Sequence, residues 1–240
     1  MKVNNLRGEI QKVLRSKADK KRADRDKVYH KYDGWRSLGI MAPIYRKIEQ
    51  SFGDDLKALS KKEALALAKE IALSPYEEEK FMSVYVILQK IENIKPSDFK
   101  KLDYIISNLQ SWSTIDEFSG RVMQELLKMY PKDTEKCLRK WNKNKNMWKR
   151  RASVVAFTRR AGESGKYTKL GLFLCDNLKH ATEDMVQKGV GWALKDMMRG
   201  DKKAVLAFVK KLRREQISST IILYAIRDLR GLEREDILKK

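Results

Sequence analysis

Two tryptophans, one aspartate and one arginine stand at spacings that can bring charge and aromatic faces together. Trp112 precedes Asp116 by four residues, and Trp192 follows Lys188 by four residues. Four residues make about one turn of an α-helix, so each indole projects from the same side as its neighbour. A carboxylate and an indole face both attract positive charge, and the guanidinium of Arg151 suits a phosphate. These four side chains, two indoles, the carboxylate and the guanidinium, form the candidate site.

The elements that must position them are helices. Helical periodicity runs through almost the whole chain, and strand-like alternation is almost absent. Residues 74–77 have the pattern of a capping box with proline at the first helical position, which predicts a helix through Lys90. Residues 96–98 and 182–184 predict two more helix starts, the second helix ending near Gly200. The predicted fold class is therefore all-α, built from antiparallel helix pairs.

The helices also show a period. Small and apolar helical segments begin at Phe81, Asp116, Arg151 and Lys188, at intervals of 35, 35 and 37 residues. This period suits two helices per repeat and predicts an α-α superhelix of HEAT-like repeats with a concave basic groove. Equivalent positions of successive repeats line up on one face, so Asp116 and Arg151 would share that groove with both indoles. The alternative is a chance pattern in an all-helical chain.

Composition limits the class of protein. The 240 residues are 42% hydrophobic and carry 53 Lys and Arg against 32 Asp and Glu, a net charge of +21. We expect a folded monomer with a single domain over residues 1–240, which includes a charged helical region at its start, residues 1–36. The charge predicts an anionic partner, nucleic acid first. No apolar run reaches the roughly 18 residues of a membrane span and no secretory signal is apparent, so we expect no membrane partner and a cytoplasmic location.

The basic charge is concentrated. Residues 136–169 contain twelve Lys and Arg and one acid, Glu163, which indicates a basic patch; a solvated face is the alternative. Residues 1–36 contain twelve Lys and Arg against five acids, and they form either an exposed amphipathic helix or a second nucleic-acid contact. The candidate phosphate contacts are Lys149, Arg150, Arg159, Arg160 and Lys188.

The remaining reactive side chains predict neither a metal site nor a cofactor. Cys137 and Cys175 sit among apolar helix positions without metal-ligand spacing, so we expect buried free thiols. The two histidines, His30 and His180, fall outside the candidate site.

The tryptophans divide into two groups. For Trp112 and Trp192 packing in the core is the alternative to a role in the site. A structural role is the interpretation for Trp35, Trp141 and Trp148.

With these residues in view, the sequence resembles the AlkD family of DNA glycosylases from about residue 29 to residue 232. YDGWRSLGIMAPIYRKI is similar to the family segment in which a Gly-Ile precedes a proline-led helix. The matching site residues are Trp112 and Asp116 in SWSTID, Arg151 behind Trp148 in MWKRRASVV, and Trp192 in MVQKGVGWALKDMMR. Arg150 beside Arg151 leaves a one-residue ambiguity about the site arginine.

The resemblance implies hydrolysis of the N-glycosidic bond of cationic N3- and N7-alkylated purines in double-stranded DNA, the first step of base excision repair. It also implies that the DNA lies in the concave groove and that the lesion need not enter a base-specific pocket. Positive charge develops on the sugar in such a reaction, and Asp116 would stabilise it and orient water. Trp112 and Trp192 would pack on the deoxyribose, and Arg151 would bind a backbone phosphate. The cationic base departs neutral, so no general acid is needed.

Two other classes of function stay open. A non-catalytic AlkD-like protein would bind bent or branched DNA through the same groove, and a helical-repeat scaffold would bind an acidic protein. Release of free base separates the first alternative from the enzyme, and the salt dependence of binding separates the second.

Overall fold

The computed structural model describes residues 2–30 and 34–239. Within these ranges the regular elements are helices and no strand is present; one isolated backbone bridge joins Arg36 and Tyr76. The predicted all-α class is confirmed. The chain divides into two compact units, Met1–Glu117 and Phe118–Lys240. The single domain expected over residues 1–240 stays a prediction.

The first unit is built from eight α-helices of its described residues and two short 3-10 turns. The helices are Lys2–Ser16 (α1), Lys20–His30 (α2), Ala42–Ser51 (α3), Gly53–Lys57 (α4), Lys61–Ala72 (α5), Glu77–Leu88 (α6), Phe99–Asn108 (α7) and Trp112–Glu117 (α8); the turns are Ile91–Asn93 and Pro96–Asp98. Helix α5 packs on α1, α6 and α7, while α8 packs on α6. Fully buried side chains fill this core, among them Ile10, Leu14, Leu67, Ile71, Met82 and Ile105. Truncating any of them to alanine would cost roughly 2–5 kcal/mol.

The local sequence explains where α5 begins, but it does not explain where α6 begins. Ser60 caps α5 with a complete capping box, because its hydroxyl accepts from the Glu63 amide and the Glu63 carboxylate accepts from the Ser60 amide. The capping box predicted at residues 74–77 is wrong. Helix α6 begins at Glu77 without a side-chain cap and ends at Leu88, and the Ser74 hydroxyl accepts from the Tyr76 amide. The Glu77 carboxylate is engaged by another helix instead.

A glycine fixes the start of α2 against the loop before α3. Gly39 has a φ of +75°, and a Cβ at this position would lie 2.2 Å from the carbonyl oxygen of Asp19. The Asp19 amide donates to the Leu38 carbonyl at 2.8 Å. Only glycine combines this backbone conformation with so close an approach, so the Gly-Ile segment anchors α2.

The second unit begins with a π-helix, Phe118–Met123, followed by nine α-helices of its described residues. These are Gln124–Met129 (α9), Pro131–Asn142 (α10), Met147–Val155 (α11), Arg159–Glu163 (α12), Thr168–Asn177 (α13), Asp184–Gly200 (α14), Lys202–Arg214 (α15), Ser219–Ala225 (α16) and Gly231–Leu238 (α17). Helix α14 is the centre of this unit, since it packs on α11, α12, α13, α15 and α16. Gly191 permits the contact with α16, where a Cβ would meet the Cβ of Tyr224 at 2.4 Å.

Several sequence expectations can be compared with these elements. Helix α14 begins at Asp184 and ends at Gly200, as predicted. The four segments proposed as repeats all start inside helices, in α6, α8, α11 and α14, while their HEAT-like relation stays a prediction. Cys175 is buried as expected, but Cys137 is only half-buried, because its position on α10 reaches the edge of the core. None of the described helices is both long and apolar enough to cross a membrane.

Candidate functional site

The first unit places the predicted carboxylate and indole on one short helix. Trp112 is the first residue of α8 and is half-buried, while Asp116 lies one turn later with a relative exposure of 8%. A carboxylate so far removed from water interacts more strongly with a nearby charge than an exposed one. Because the two residues lie four positions apart in α8, the indole of Trp112 and the carboxylate of Asp116 project from the same side of this helix.

A buried glutamate on α6 fixes the start of α8. The Glu77 carboxylate accepts hydrogen bonds from the hydroxyls of Ser111 and Ser113, the residues on either side of Trp112. Glu77 is 6% exposed, and burial raises the pKa of its carboxyl, against the opposing effect of the two serine hydrogen bonds. Ser111 also pairs with the hydroxyl of Thr114 at 2.9 Å. This polar cluster holds the backbone that carries the indole.

Glu77 belongs to a run of three buried glutamates, and each contacts a different segment. Glu78 accepts from the Leu38 amide at 2.8 Å and from the Ile40 amide at 3.1 Å, which orders the Gly-Ile segment. Glu79 accepts from the side-chain amide of Gln11 on α1 at 2.7 Å. This run was not among the residues predicted from the sequence. Its signal was present: three consecutive acids at the head of an apolar helix are costly to bury unless each finds donors.

An aromatic stack adjoins the same helix. The imidazole of His30, the last residue of α2, lies 3.9 Å from the Trp35 ring and 5.2 Å from the Trp112 ring, at interplanar angles of 11° and 12°. Tyr29 meets Trp112 edge-on at 6.4 Å. We call Trp35, His30 and Trp112 the aromatic stack. The expectation that His30 lies outside the candidate site is wrong, because the fold brings α2 to α8 across 82 residues of sequence.

The second unit places the predicted arginine against its central helix. Arg151, 5% exposed on α11, donates to the Met185 carbonyl in the first turn of α14. A Cβ at Gly189 would lie 3.2 Å from Cγ of Arg151, so the absence of a side chain there lets the arginine lie along α14. Gly189 precedes Trp192 by three residues, which puts them on one face of the helix. Arg151 therefore contacts the helix that carries the second indole.

The neighbouring arginine has other partners. Arg150 donates to the carbonyls of Asn144 and Lys145, at 2.8 and 3.1 Å, and pairs with the carboxylate of Glu183. Glu183 is the N-cap residue of α14. Arg150 thus ties the loop before α11 to the start of α14, and the choice between Arg150 and Arg151 as the site arginine stays open.

A third arginine of this unit, Arg159, lies over the ring of Trp192. The guanidinium carbon of Arg159 lies 5.5 Å from the centre of the half-buried Trp192 ring, within cation–π range. The backbone of Arg159 has a φ of 51°, and its amide donates to the buried carboxylate of Asp196 at 2.7 Å. A non-glycine residue in this left-handed region carries about 1–2 kcal/mol of strain, which such a hydrogen bond helps to offset. The role of Asp196 could not be predicted from the sequence, because nothing in the segment Thr158 to Arg160 indicates that Arg159 has a positive φ and needs an acceptor for its amide.

The other predicted phosphate contacts differ in exposure. Arg159 and Arg160 are exposed, Lys188 is half-buried and pairs with Asp184 at 2.7 Å, and Lys149 is buried at 6% exposure. The hydrogen bond that Lys188 donates to the Asp184 carboxylate raises the pKa of Lys188. Of these cations, the two exposed arginines are open to an external phosphate without rearrangement.

The structure thus brings the predicted residues together in two sets, one within each unit. Trp112 and Asp116 share α8, and Arg151 contacts the helix of Trp192. The convergence of the two sets on one groove stays a prediction. The three tryptophans expected to be structural, Trp35, Trp141 and Trp148, are buried as predicted.

Comparisons with known proteins define the class. The chain is similar in fold to the solved structure of a predicted DNA alkylation repair enzyme from Enterococcus faecalis, with a TM-score of 0.75. The two share 13% identity over 89% of this chain and 97% of that chain, so this likeness shows the all-α fold. A comparison with curated proteins finds no significant match.

The family follows from the sequence match. The family model for DNA alkylation repair enzymes matches residues 10–229, nearly the whole chain. The protein therefore belongs to the DNA alkylation repair enzyme family, and its general role is in the repair of alkylated DNA.

Proposed function

We propose that the protein is a DNA glycosylase that hydrolyses the N-glycosidic bond of cationic N3- and N7-alkylated purines in double-stranded DNA. The observation that carries the proposal is the pair on α8: a nearly buried Asp116 carboxylate one turn from the half-buried Trp112 indole. In a family that repairs alkylated DNA, this pair suits a reaction in which positive charge moves from the base to the sugar.

The chemistry needs few groups. As the bond from the sugar C1′ to the purine nitrogen breaks, its electron pair passes to the purine, which loses its positive charge and leaves neutral. Water adds to C1′ and releases one proton to solvent. Asp116 stabilises the cationic sugar and orients the water, and the face of Trp112 adds attraction through its π electrons.

In this proposal the second unit provides most of the contacts that bind DNA. Arg151 exchanges its hydrogen bond to the Met185 carbonyl for a phosphate next to the lesion, and Trp192 packs on the sugar. The exposed Arg159 and Arg160 contact phosphates without reading sequence. Lys149, Arg150 and Lys188 complete the proposed contacts; like Arg151, they are buried or paired and exchange those contacts for phosphate.

The test is release of free base. The protein should release 7-methylguanine and 3-methyladenine from methylated duplex DNA and nothing from unmethylated duplex of the same sequence. DNA binding without release would contradict glycosylase activity and leave a non-catalytic binder of bent or branched DNA. If binding to duplex DNA does not weaken as salt rises, phosphate contacts do not hold the DNA, and the alternative of a scaffold for an acidic protein would be favoured.

A further inference from the structure

The charged helix α2 has one contact that its composition does not explain. Within this helix no residue is buried, and Val28 and Tyr29 are more than 70% exposed. Its first turn is anchored by the Asp19 contact with the Gly39 segment. Its last residue, His30, enters the aromatic stack. The helix therefore presents the half-buried ring of His30 and the edge of the exposed Tyr29 ring to the candidate site, while most of its other side chains are exposed.

The stack constrains the indole of Trp112. A half-buried tryptophan at the first residue of a short helix has two side-chain torsions to restrict, and Glu77 restrains only the backbone around it. The near-parallel imidazole of His30 lies against a face of the indole, and Trp35, 6% exposed, supports the imidazole in turn. A chain of contacts thus runs from the buried Trp35 to the candidate site.

We propose that His30 is a positioning residue, whose ring fixes the plane of the Trp112 indole so that the indole meets the deoxyribose in one orientation. The inference rests on the proposed glycosylase function. It assigns to α2 a part in the site, rather than a general contact with DNA.

The ionisation of His30 suits this role. Burial lowers the pKa of the imidazole, against the opposing effect of Asp26 on the same helix. The lowered pKa favours the neutral ring, which adds no positive charge beside a sugar that is becoming cationic. A lysine or arginine at this position would repel the developing charge.

The experiment compares three variants of the full chain. His30→Ala removes the ring, His30→Phe keeps a flat ring without an ionisable group, and His180→Ala is the control at the exposed second histidine. Each is measured for single-turnover release of 7-methylguanine and for affinity to intact duplex. Each is also labelled with 5-fluorotryptophan, which gives one fluorine resonance for each of the five tryptophans. The resonance absent from Trp112→Phe reports Trp112.

The expected result is specific to positioning. His30→Ala should shift and broaden the Trp112 resonance and slow release about two- to tenfold, in line with the usual strength of an aromatic pair. His30→Phe should restore both, and His180→Ala should alter neither. Affinity for duplex DNA should stay unchanged in all three.

Two results would overturn the inference. One is a Trp112 resonance that His30→Ala leaves unchanged. The other is a His30→Phe protein that is as slow as His30→Ala while its Trp112 resonance is normal, because the imidazole would then act chemically. If the wild-type protein releases no base, the proposed function fails, and the fluorine spectrum still decides whether His30 fixes the indole.

Discussion

The two units surround their candidate indoles with different chemistry. In the first unit the groups next to Trp112 are the buried carboxylate of Glu77, which accepts from two hydroxyls, and the imidazole of His30, whose pKa burial lowers. In the second unit Trp192 lies beneath an exposed guanidinium, that of Arg159. The first arrangement places a buried carboxylate and an aromatic ring beside the indole, whereas the second places an exposed cation over it.

This difference separates two physical tasks. A charge in a buried setting acts over a short distance and is weakly screened, which suits stabilisation of a transition state. Exposed arginines act at a distance and are screened by salt, which suits binding to a phosphate backbone. Changes at Asp116 should therefore alter the rate of base release, and changes at the exposed arginines Arg159 and Arg160 should alter DNA affinity.

The largest effect should come from Asp116→Asn. The asparagine keeps the shape and removes the charge, so folding and DNA affinity should survive. Release of 7-methylguanine in single-turnover conditions should fall about tenfold to a thousandfold, because the variant lacks a preorganised charge. Trp112→Ala and Trp192→Ala should cost less, and Arg151→Ala should impair both affinity and rate.

Asp55→Asn is the matched control, since it makes the same change in charge at an exposed acid of the same unit. Its release rate should equal that of the wild type. Full activity in the Asp116→Asn protein would contradict the proposed mechanism and leave the charge of the lesion as the main source of reactivity.

The next effect concerns affinity. Replacing Arg159 and Arg160 by glutamate should weaken binding to duplexes of any sequence by about ten- to a hundredfold. The slope of log affinity against log salt should flatten by about 0.9 for each phosphate that the variant no longer neutralises. Titrations at several salt concentrations measure both quantities.

Arg46 and Lys47 provide the control pair, because they are consecutive exposed cations on α3. Their double reversal changes the net charge equally. Equal reductions of affinity in the two double variants would show a nonspecific charge effect and remove the assignment of DNA binding to the second unit.

Features that depend on local pattern were predictable from the sequence. Periodicity indicated the all-α class, and the Thr-Glu-Asp segment before α14 indicated the start of that helix at Asp184. The spacing of Trp112 and Asp116 put both on one turn, because both residues lie in one helix and the period of an α-helix is fixed.

Contacts between distant segments escaped prediction for a physical reason. The box at residues 74–77 failed because the Glu77 carboxylate accepts instead from the two hydroxyls of Ser111 and Ser113, which lie 34 and 36 residues away in the sequence. His30 reaches Trp112 only through the packing of α2. The positive φ of Arg159 depends on Asp196, 37 residues away, and no glycine marks it.

A third prediction tests the buried support of α8. Glu77→Ala should destabilise the protein by about 1–3 kcal/mol, because the hydroxyls of Ser111 and Ser113 would have no Glu77 acceptor in the core. Glu77→Gln should cost less, since its carbonyl oxygen can accept both bonds. Chemical denaturation of the three proteins measures these free energies of unfolding.

The raised pKa of Glu77 also predicts how the stability difference between Glu77→Gln and the wild type changes with pH. The pKa of Glu77 is raised in the folded protein, so the folded state binds its proton more tightly than the unfolded chain does. The stability from this group is full below the ordinary value of 4.5 and is lost as pH rises through the folded pKa. The stability of Glu77→Gln relative to the wild type should therefore improve as pH rises from about 4 toward neutrality. A constant difference across that range would contradict the raised pKa.

The smallest effect isolates the backbone of Arg159. Arg159→Gly and Arg159→Ala remove the same guanidinium, and both keep the amide that donates to Asp196. They differ in the cost of a φ of 51°, which glycine adopts freely and alanine does not. The glycine variant should be more stable than the alanine variant by up to about 1 kcal/mol, although glycine elsewhere in a helical segment is usually the less stable of the two. Their DNA affinities should be equally reduced, because the phosphate contact belongs to the side chain. A glycine variant that is less stable than the alanine variant would mean that the segment relaxes to a negative φ, and the contact of Arg159 with Trp192 would then need no strain to maintain it.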